Sequence, residues 1–193
     1  MRVFVGVELS DEVRTLAASV TGGLRRSLAN RLDARWVSAE NLHITVRFIG
    51  YVPDEGVSAL LDTLAEPLDM APFEIGFSGC GRFPPRGAPR VLWIGLSAGL
   101  SSLAALHEEF NRRVAPFGYA PETRPFSAHL TLARIKDARG SVKSVDAALQ
   151  SAPTFTVTQR AETVAVFETQ LSPRGSRYSV LRRIRLGSWP VNG

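Results

Sequence analysis

This sequence predicts an α+β fold built on antiparallel sheets. Three observations carry that prediction. Strand-like and helix-like segments are interspersed, but hairpin-like joints dominate over helical crossovers. No GxGxxG or GxxxxGK[ST] fingerprint is present to hold a dinucleotide or nucleoside triphosphate in a doubly wound parallel sheet. The chain also repeats itself weakly: "RWVSAENLHITVRF" and "RPFSAHLTLAR" share Arg, a bulky residue, Ser-Ala and then a His-apolar-Thr-apolar strand. His43 and His129 lie nearly half of the 193 residues apart, as two similar lobes with one motif strand each would require.

The elements follow in order. "RVFVGVEL" reads as a buried strand over residues 2–9. Ser10 caps a helix, and Asp11 and Glu12 sit in its first turn, where the helix dipole favours acidic groups. That helix runs through "DEVRTLAASVTGGLRRSLAN", with a break expected at Gly22 and Gly23 if the pair interrupts it. The first motif strand occupies about 42–49. Pro53 and the acidic residues after it open a second helix. "FEIGFSGCGRF" and "RVLWIGL" are two strands joined by the proline-rich "PPRGAP". Residues 100–115 form the next helix, since Leu103, Leu106, Phe110 and Val114 recur at helical spacing. The second motif strand begins near Ala128. "SVKSVDAALQS" is a short helix. "FTVTQRAETVAVFETQL" and "SRYSVLRRIRLG" supply two or three further strands, with "SPRGS" as a hairpin loop. The length suits a single domain over residues 1–193.

Composition narrows the function classes. Hydrophobic content of 45% against 21% charged residues describes a folded chain, not a disordered one. A net charge of +5 favours an anionic partner such as nucleic acid without requiring one. Cys80 is the only cysteine, which excludes an intramolecular disulfide and a cysteine-based zinc cluster. In "GFSGCGRF" it reads as a small packed strand residue, not a reactive thiol. No stretch approaches the roughly 20 apolar residues of a membrane span. The opening apolar run is interrupted by Glu8, with no cleavage-like region after it. A monomeric cytoplasmic protein without membrane contact is expected.

The chemistry lies in the repeat. Alternate side chains of a strand share a face. His43 and Thr45 therefore point the same way, as do His129 and Thr131, while Leu42, Ile44, Val46, Leu130 and Leu132 point into the packed side. If the two strands face each other across a cleft, two imidazoles and two hydroxyls converge. Imidazole titrates near pH 6.5, so one ring can take a proton while the other gives one. Hydroxyls can donate hydrogen bonds to an anion's oxygens. This set suits in-line phosphoryl transfer at a phosphodiester, with no cofactor required. Two other readings compete: packed, hydrogen-bonded histidines, and a metal site. The metal reading lacks a third ligand, since there is no HxH, no HExxH and no cysteine cluster. His107 is the one spare imidazole, and its place in "AALHEEFNRR" reads as a solvated or partly buried helix position.

The pair "HITV" and "HLTL" resembles the 2H phosphoesterase superfamily, which two H-x-[ST]-x motifs define. "RVFVGVEL", "WVSAENLHITVRFIG", "FSAHLTLAR" and "VFETQLSPRGSRYSVL" resemble, in order, its bacterial and archaeal RNA 2′,3′-cyclic phosphodiesterases, also called 2′-5′ RNA ligases. The resemblance implies a bilobal fold with pseudo-twofold symmetry and the site in the cleft between the lobes. It implies as partner an RNA end carrying a 2′,3′-cyclic phosphate, tRNA fragments among them, opened by water to a 2′-phosphate. A 5′-hydroxyl in place of water would give a 2′-5′ linkage. By the same resemblance His43 is the proton donor and His129 the acceptor, although the sequence does not fix which ring has which role. Thr45 and Thr131 hold the phosphate. Phe48 and Arg134, each five residues after its histidine, stack on the base or contact the phosphate. Strict alternation puts both on the wrong face, so the resemblance requires a bulge or a strand end. Phe48 as a core aromatic is the competing reading. Arg47 departs from the family's apolar or small residue and shares parity with His43, about 13 Å along the strand. It either extends an RNA-binding surface or faces solvent. Arg182, Arg183 and Arg185 read as a solvated strand face more than as a polynucleotide track. A non-catalytic RNA-end binding module and a phosphodiesterase for a small cyclic nucleotide phosphate are the rival functions.

Overall fold

The computed structural model describes residues 1–29, 31–138, 142–172 and 175–187. Its strands are β1 (Arg2–Glu8), β2 (Asp33–Trp36), β3 (His43–Tyr51), β4 (Phe73–Phe83), β5 (Val91–Ala98), β6 (Leu130–Asp137), β7 (Thr156–Ala161), β8 (Thr163–Ser172) and β9 (Gly175–Arg185). The helices are α1 (Asp11–Ser27), α2 (Asp54–Leu64), α3 (Leu100–Val114) and α4 (Val142–Gln150). The hairpin loop expected at "SPRGS" falls on residues 173 and 174, which lie outside the described residues, as do those from 188 onward.

The strands form one sheet in the order β7-β4-β5-β6-β3-β1-β8-β9, with β2 also on β6. Every pairing between these strands is antiparallel. The α+β expectation therefore holds, and the two lobes are two half-sheets. The motif strands β3 and β6 meet edge to edge at the seam between them. One bridge, Ile44↔Leu130, joins the halves there, and β2 takes over the rest of that edge of β6.

Helices α2 and α3 serve the β3 half, with α3 packed on β3, while α1 and α4 pack on β7 and β4 of the other half. Sequence explains α1 well. Ser10 accepts a hydrogen bond from Val13 N at 3.3 Å, and Val13, Ala17, Val20 and Leu24 form the buried face. The helix runs unbroken through Gly22 and Gly23. Two helical glycines cost about 2 kcal/mol. Burying Val20 and Leu24 on either side gains roughly 1.5–3 kcal/mol each, which outweighs it.

Strand β1 is buried on both faces. Val3, Val5 and Val7 enter the main core beneath the helices. Phe4 points the other way, into a small second cluster with Ala165 and Phe167, bordered by Tyr178 and Val180. Phe4 and Tyr178 of that cluster line the cleft.

Candidate active site

The cleft is a cavity of about 200 Å³ over the seam. His43, Thr45 and Phe48 from β3 reach it, together with Thr131 and Arg134 from β6. His129, one residue ahead of β6, is set beside that cavity. Around the Ile44↔Leu130 bridge, antiparallel register puts His43 opposite Thr131 and Thr45 opposite His129. The four motif side chains therefore form a quasi-twofold square on one sheet face.

Both imidazoles are oriented the same way. A carbonyl oxygen only accepts, so His43 Nδ1 must donate to Asn41 O at 2.8 Å, and His129 Nδ1 to Ser127 O at 2.7 Å. Each neutral ring then carries its lone pair on Nε2. The Nε2 of His43 lies 3.0 Å from Thr45 Oγ1.

The strands reach their fifth residue by the same device. In β3 the pairing with β1 skips Val46, and Val46 and Arg47 are both buried. In β6 the pairing with β5 skips Leu132, and Leu132 and Ala133 are both buried. Each skip is a β-bulge that reverses parity. Phe48, 50% exposed, and the exposed Arg134 return to the cleft face as a result.

The bulges also correct two expectations. Arg47 extends no surface: it is only 3% exposed. Its guanidinium donates to Ala120 O at 2.5 Å and pairs with Glu122 at 3.3 Å. His107, expected solvated or partly buried, is fully buried at 4% exposed. Its Nδ1 donates to Val46 O at 2.7 Å, and its ring stacks on Phe126 at 4.4 Å. Both residues tie β3 to the segment that leads into His129. The other loose basic group is exposed as expected, with Arg183 paired to Glu8 at 2.7 Å.

Surroundings make the two histidines unequal. The His43 ring lies 4.6 Å from Phe4, 5.1 Å from Tyr178 and 5.8 Å from Phe167. Burial among these rings pushes its pKa down to about 4, against the opposing effect of Asn41 O, and the charges of Arg134 and His129 lower it further. The His129 pKa is lowered too, by burial first and Arg134 last, with Ser127 O again opposing. Among the described residues its ring meets one aromatic, Phe83, edge-on at 5.0 Å. Gly6 clears the space for His43: a Cβ there would lie 2.8 Å from Ile44 O and 3.4 Å from His43 Cδ2.

Sequence reading missed Arg2, Phe4, Thr169 and Tyr178, which also line the cavity. Three strands bring them there, and no local pattern marks them. Phe4 alone left a trace, as the aromatic on the odd face of a doubly buried strand. Cys80 is partly buried, and burial raises its pKa to about 11, which fits an inert thiol. Among the described residues no three His, Cys, Asp or Glu side chains converge as a metal-ligand group. Nor, among them, is any helix long and apolar enough to cross a membrane.

Comparison with known proteins gives this geometry relatives. The RNA 2′,3′-cyclic phosphodiesterase of Aeropyrum pernix is 31% identical over 166 residues, covering 86% of this chain and 94% of that protein. The protein of the same name from Aquifex aeolicus is 28% identical, covering 97% of this chain and 98% of its own. The solved structure of a Thermus thermophilus protein superposes with a TM-score of 0.77 at 28% identity, covering 96% of this chain and 98% of that one. E. coli LigT complexed with 3′-AMP shares the fold, with a TM-score of 0.76 at 24% identity over 97% of this chain and 98% of its own. The family model described as LigT like Phosphoesterase matches twice, at residues 7–93 and 94–178, one match for each motif strand. The chain belongs to the LigT-like family of 2H phosphoesterases.

Proposed function

We propose that this protein opens RNA 2′,3′-cyclic phosphate ends to 2′-phosphates, by paired-histidine acid–base catalysis without a metal ion. The observation that carries the reading is the quasi-twofold square. Two imidazoles are each held through Nδ1 by their own backbone, His43 lining the cleft with Arg134 and His129 standing opposite Thr45 across the seam.

In this reading water attacks phosphorus in line with the 3′-oxygen. His129 Nε2 takes the water proton as the new P–O bond forms. His43 gives its proton to the 3′-oxygen as the P–O3′ bond breaks. Solvent then resets both rings. Thr45, Thr131 and Arg134 bind the phosphoryl oxygens, and Phe48 offers an exposed ring to the terminal base. A 5′-hydroxyl in place of water would give a 2′-5′ linkage by the same steps.

The low pKa of His43 has a use here. At neutral pH the free ring is uncharged. A bound phosphodiester anion favours the imidazolium, so substrate binding itself supplies the general acid. The names of the archaeal and bacterial relatives support the RNA end as substrate.

The test is a nucleoside 2′,3′-cyclic phosphate with EDTA present, separating 2′- from 3′-phosphate products across pH. Expected are 2′-phosphate, an EDTA-insensitive rate and bell-shaped profiles that belong to the histidine pair. Because burial lowers both imidazole pKa values, the kcat/KM bell centres below pH 6.5. The kcat bell, set by the bound complex, centres higher. Loss of rate in EDTA, restored by one divalent ion, would overturn the mechanism. Binding without turnover would leave an RNA-end binding module.

A further inference from the structure

A second depression opens from the catalytic cavity and is the larger, at about 540 Å³. It shares Arg134 and Tyr178 with that cavity and adds Arg35, Trp36 and Arg177. Its charge placement is unusual. Arg35 of β2 lies directly opposite Arg134 of β6 in the antiparallel register. Like charges at facing positions destabilise a sheet. Arg177 of β9 completes a row of three exposed guanidiniums. Among the described residues none of the three has a carboxylate within ion-pair distance. Glu40 is the one acidic group on the lining, and Ser38 and Arg14 engage it. An anion spanning the row would relieve the repulsion between Arg35 and Arg134.

We propose that this groove binds the phosphodiester backbone of the RNA segment upstream of the cyclic phosphate, making the enzyme selective for polynucleotide ends over mononucleotides. The inference rests on the cyclic phosphodiesterase reading above. Arg134 then spans both regions, with the cyclic phosphate on one side and the preceding phosphate on the other. Arg35 and Arg177 hold phosphates further upstream. Trp36 and Tyr178 offer ring surface to the bases between.

The experiment compares kcat/KM for cytidine 2′,3′-cyclic phosphate with that for a single-stranded hexanucleotide ending in the same group. The wild type is expected to prefer the hexanucleotide. Arg35→Gln and Arg177→Gln are each expected to cut hexanucleotide kcat/KM roughly tenfold, the low end for one charge-assisted hydrogen bond. Turnover of the mononucleotide stays unchanged. For the hexanucleotide, the slope of log kcat/KM against log salt falls in magnitude by about 0.7 per substitution, as one released counterion predicts for a single strand. Mononucleotide turnover without a length advantage overturns the groove and leaves the phosphodiesterase standing. So does an advantage that neither substitution reduces. Failure to open any cyclic phosphate overturns both.

Discussion

The two motif strands share a backbone plan and differ in what surrounds it. Each carries a histidine bonded through Nδ1 to the carbonyl two residues earlier, then a threonine, then a bulge that brings the fifth residue back to the cleft. The differences begin at the bulge. Its carbonyl in β6, Leu132 O, accepts from the backbone N–H of Val37 at 2.8 Å. The equivalent carbonyl in β3, Val46 O, accepts from the side chain of His107. The next residue is Ala133 in one half and Arg47 in the other. His43 sits among three aromatic rings, and His129 against one. In the proposed reaction the repeated backbone would supply the symmetry of two acid–base groups around one phosphorus. Unrepeated side chains make the surroundings of the two imidazoles unequal, which would favour different protonation states for an acid and a base.

The largest effects come from deleting either imidazole. His43→Ala and His129→Ala are each expected to lower kcat by about 10²–10⁴-fold, the usual contribution of a general acid or base. The double variant should be little worse than either single one, because the pair acts as a unit. A substrate with sulfur in place of the 3′-oxygen separates the halves. A thiolate leaves without protonation, so the loss at His43→Ala should shrink while that at His129→Ala persists. Equal rescue of both variants would show that the halves are not divided into acid and base.

How much of this could be read from the chain divides along the same line. Parity placed His43 with Thr45 and His129 with Thr131, because both pairs precede the bulges. It failed at Arg47, the first position after one begins. A bulge is made by pairing with another strand, and nothing in "HITVRF" announces it. Only the resemblance required one. His107 was misread for a related reason: the acceptor it serves is created by a bulge in a distant strand. Most elements were legible because they carry strong periodicity or buried runs. Strand β2 was not, since its four residues pair at an edge with no buried face. The aromatic box around His43 draws on β1, β8 and β9, so its effect on the imidazole had no local signature.

That box makes a smaller, sharper test of asymmetry, read in stability alone. The folded pKa of His43 is about 4, below the ordinary 6.5. A depressed pKa means that the unfolded chain binds the proton more readily. Its contribution is therefore fully present above pH 6.5 and is lost as pH falls from there towards 4. Between pH 7.5 and pH 5 the loss should be roughly 2 kcal/mol, at about 1.4 kcal/mol per pH unit. Glu40 and Glu109, also depressed, lose their contributions mainly below pH 4.5, outside this window. Urea denaturation at the two pH values should show the loss in the wild type and the larger part of it removed in His43→Gln, with the share of His129 remaining. His129→Gln, in the more open half, should remove less. An equal flattening by both variants would mean that the aromatic rings do not set the difference.

The smallest effect concerns the bulge carbonyls. In β6 the partner is a backbone N–H, which no side-chain substitution deletes. In β3 it is His107, so the two halves can be unbalanced by one replacement. His107→Phe keeps a ring of similar shape for the stack on Phe126 and removes the donor. Val46 O is then left buried without its partner, at a cost of at least about 1 kcal/mol. For a chain of this size the melting temperature should fall by roughly 2–4 °C per kcal/mol. The effect on catalysis should be indirect. The partners of His107 are Val46 O and Phe126, not the His43 or His129 ring, so the limbs of the pH profile should stay in place. The bulge sets Phe48 and the Phe126 segment leads to His129, so kcat should decline modestly on both substrates. A melting temperature equal to that of the wild type would show that Val46 O finds another donor. The third histidine would then contribute shape alone, and the two bulges would be more alike than their partners suggest.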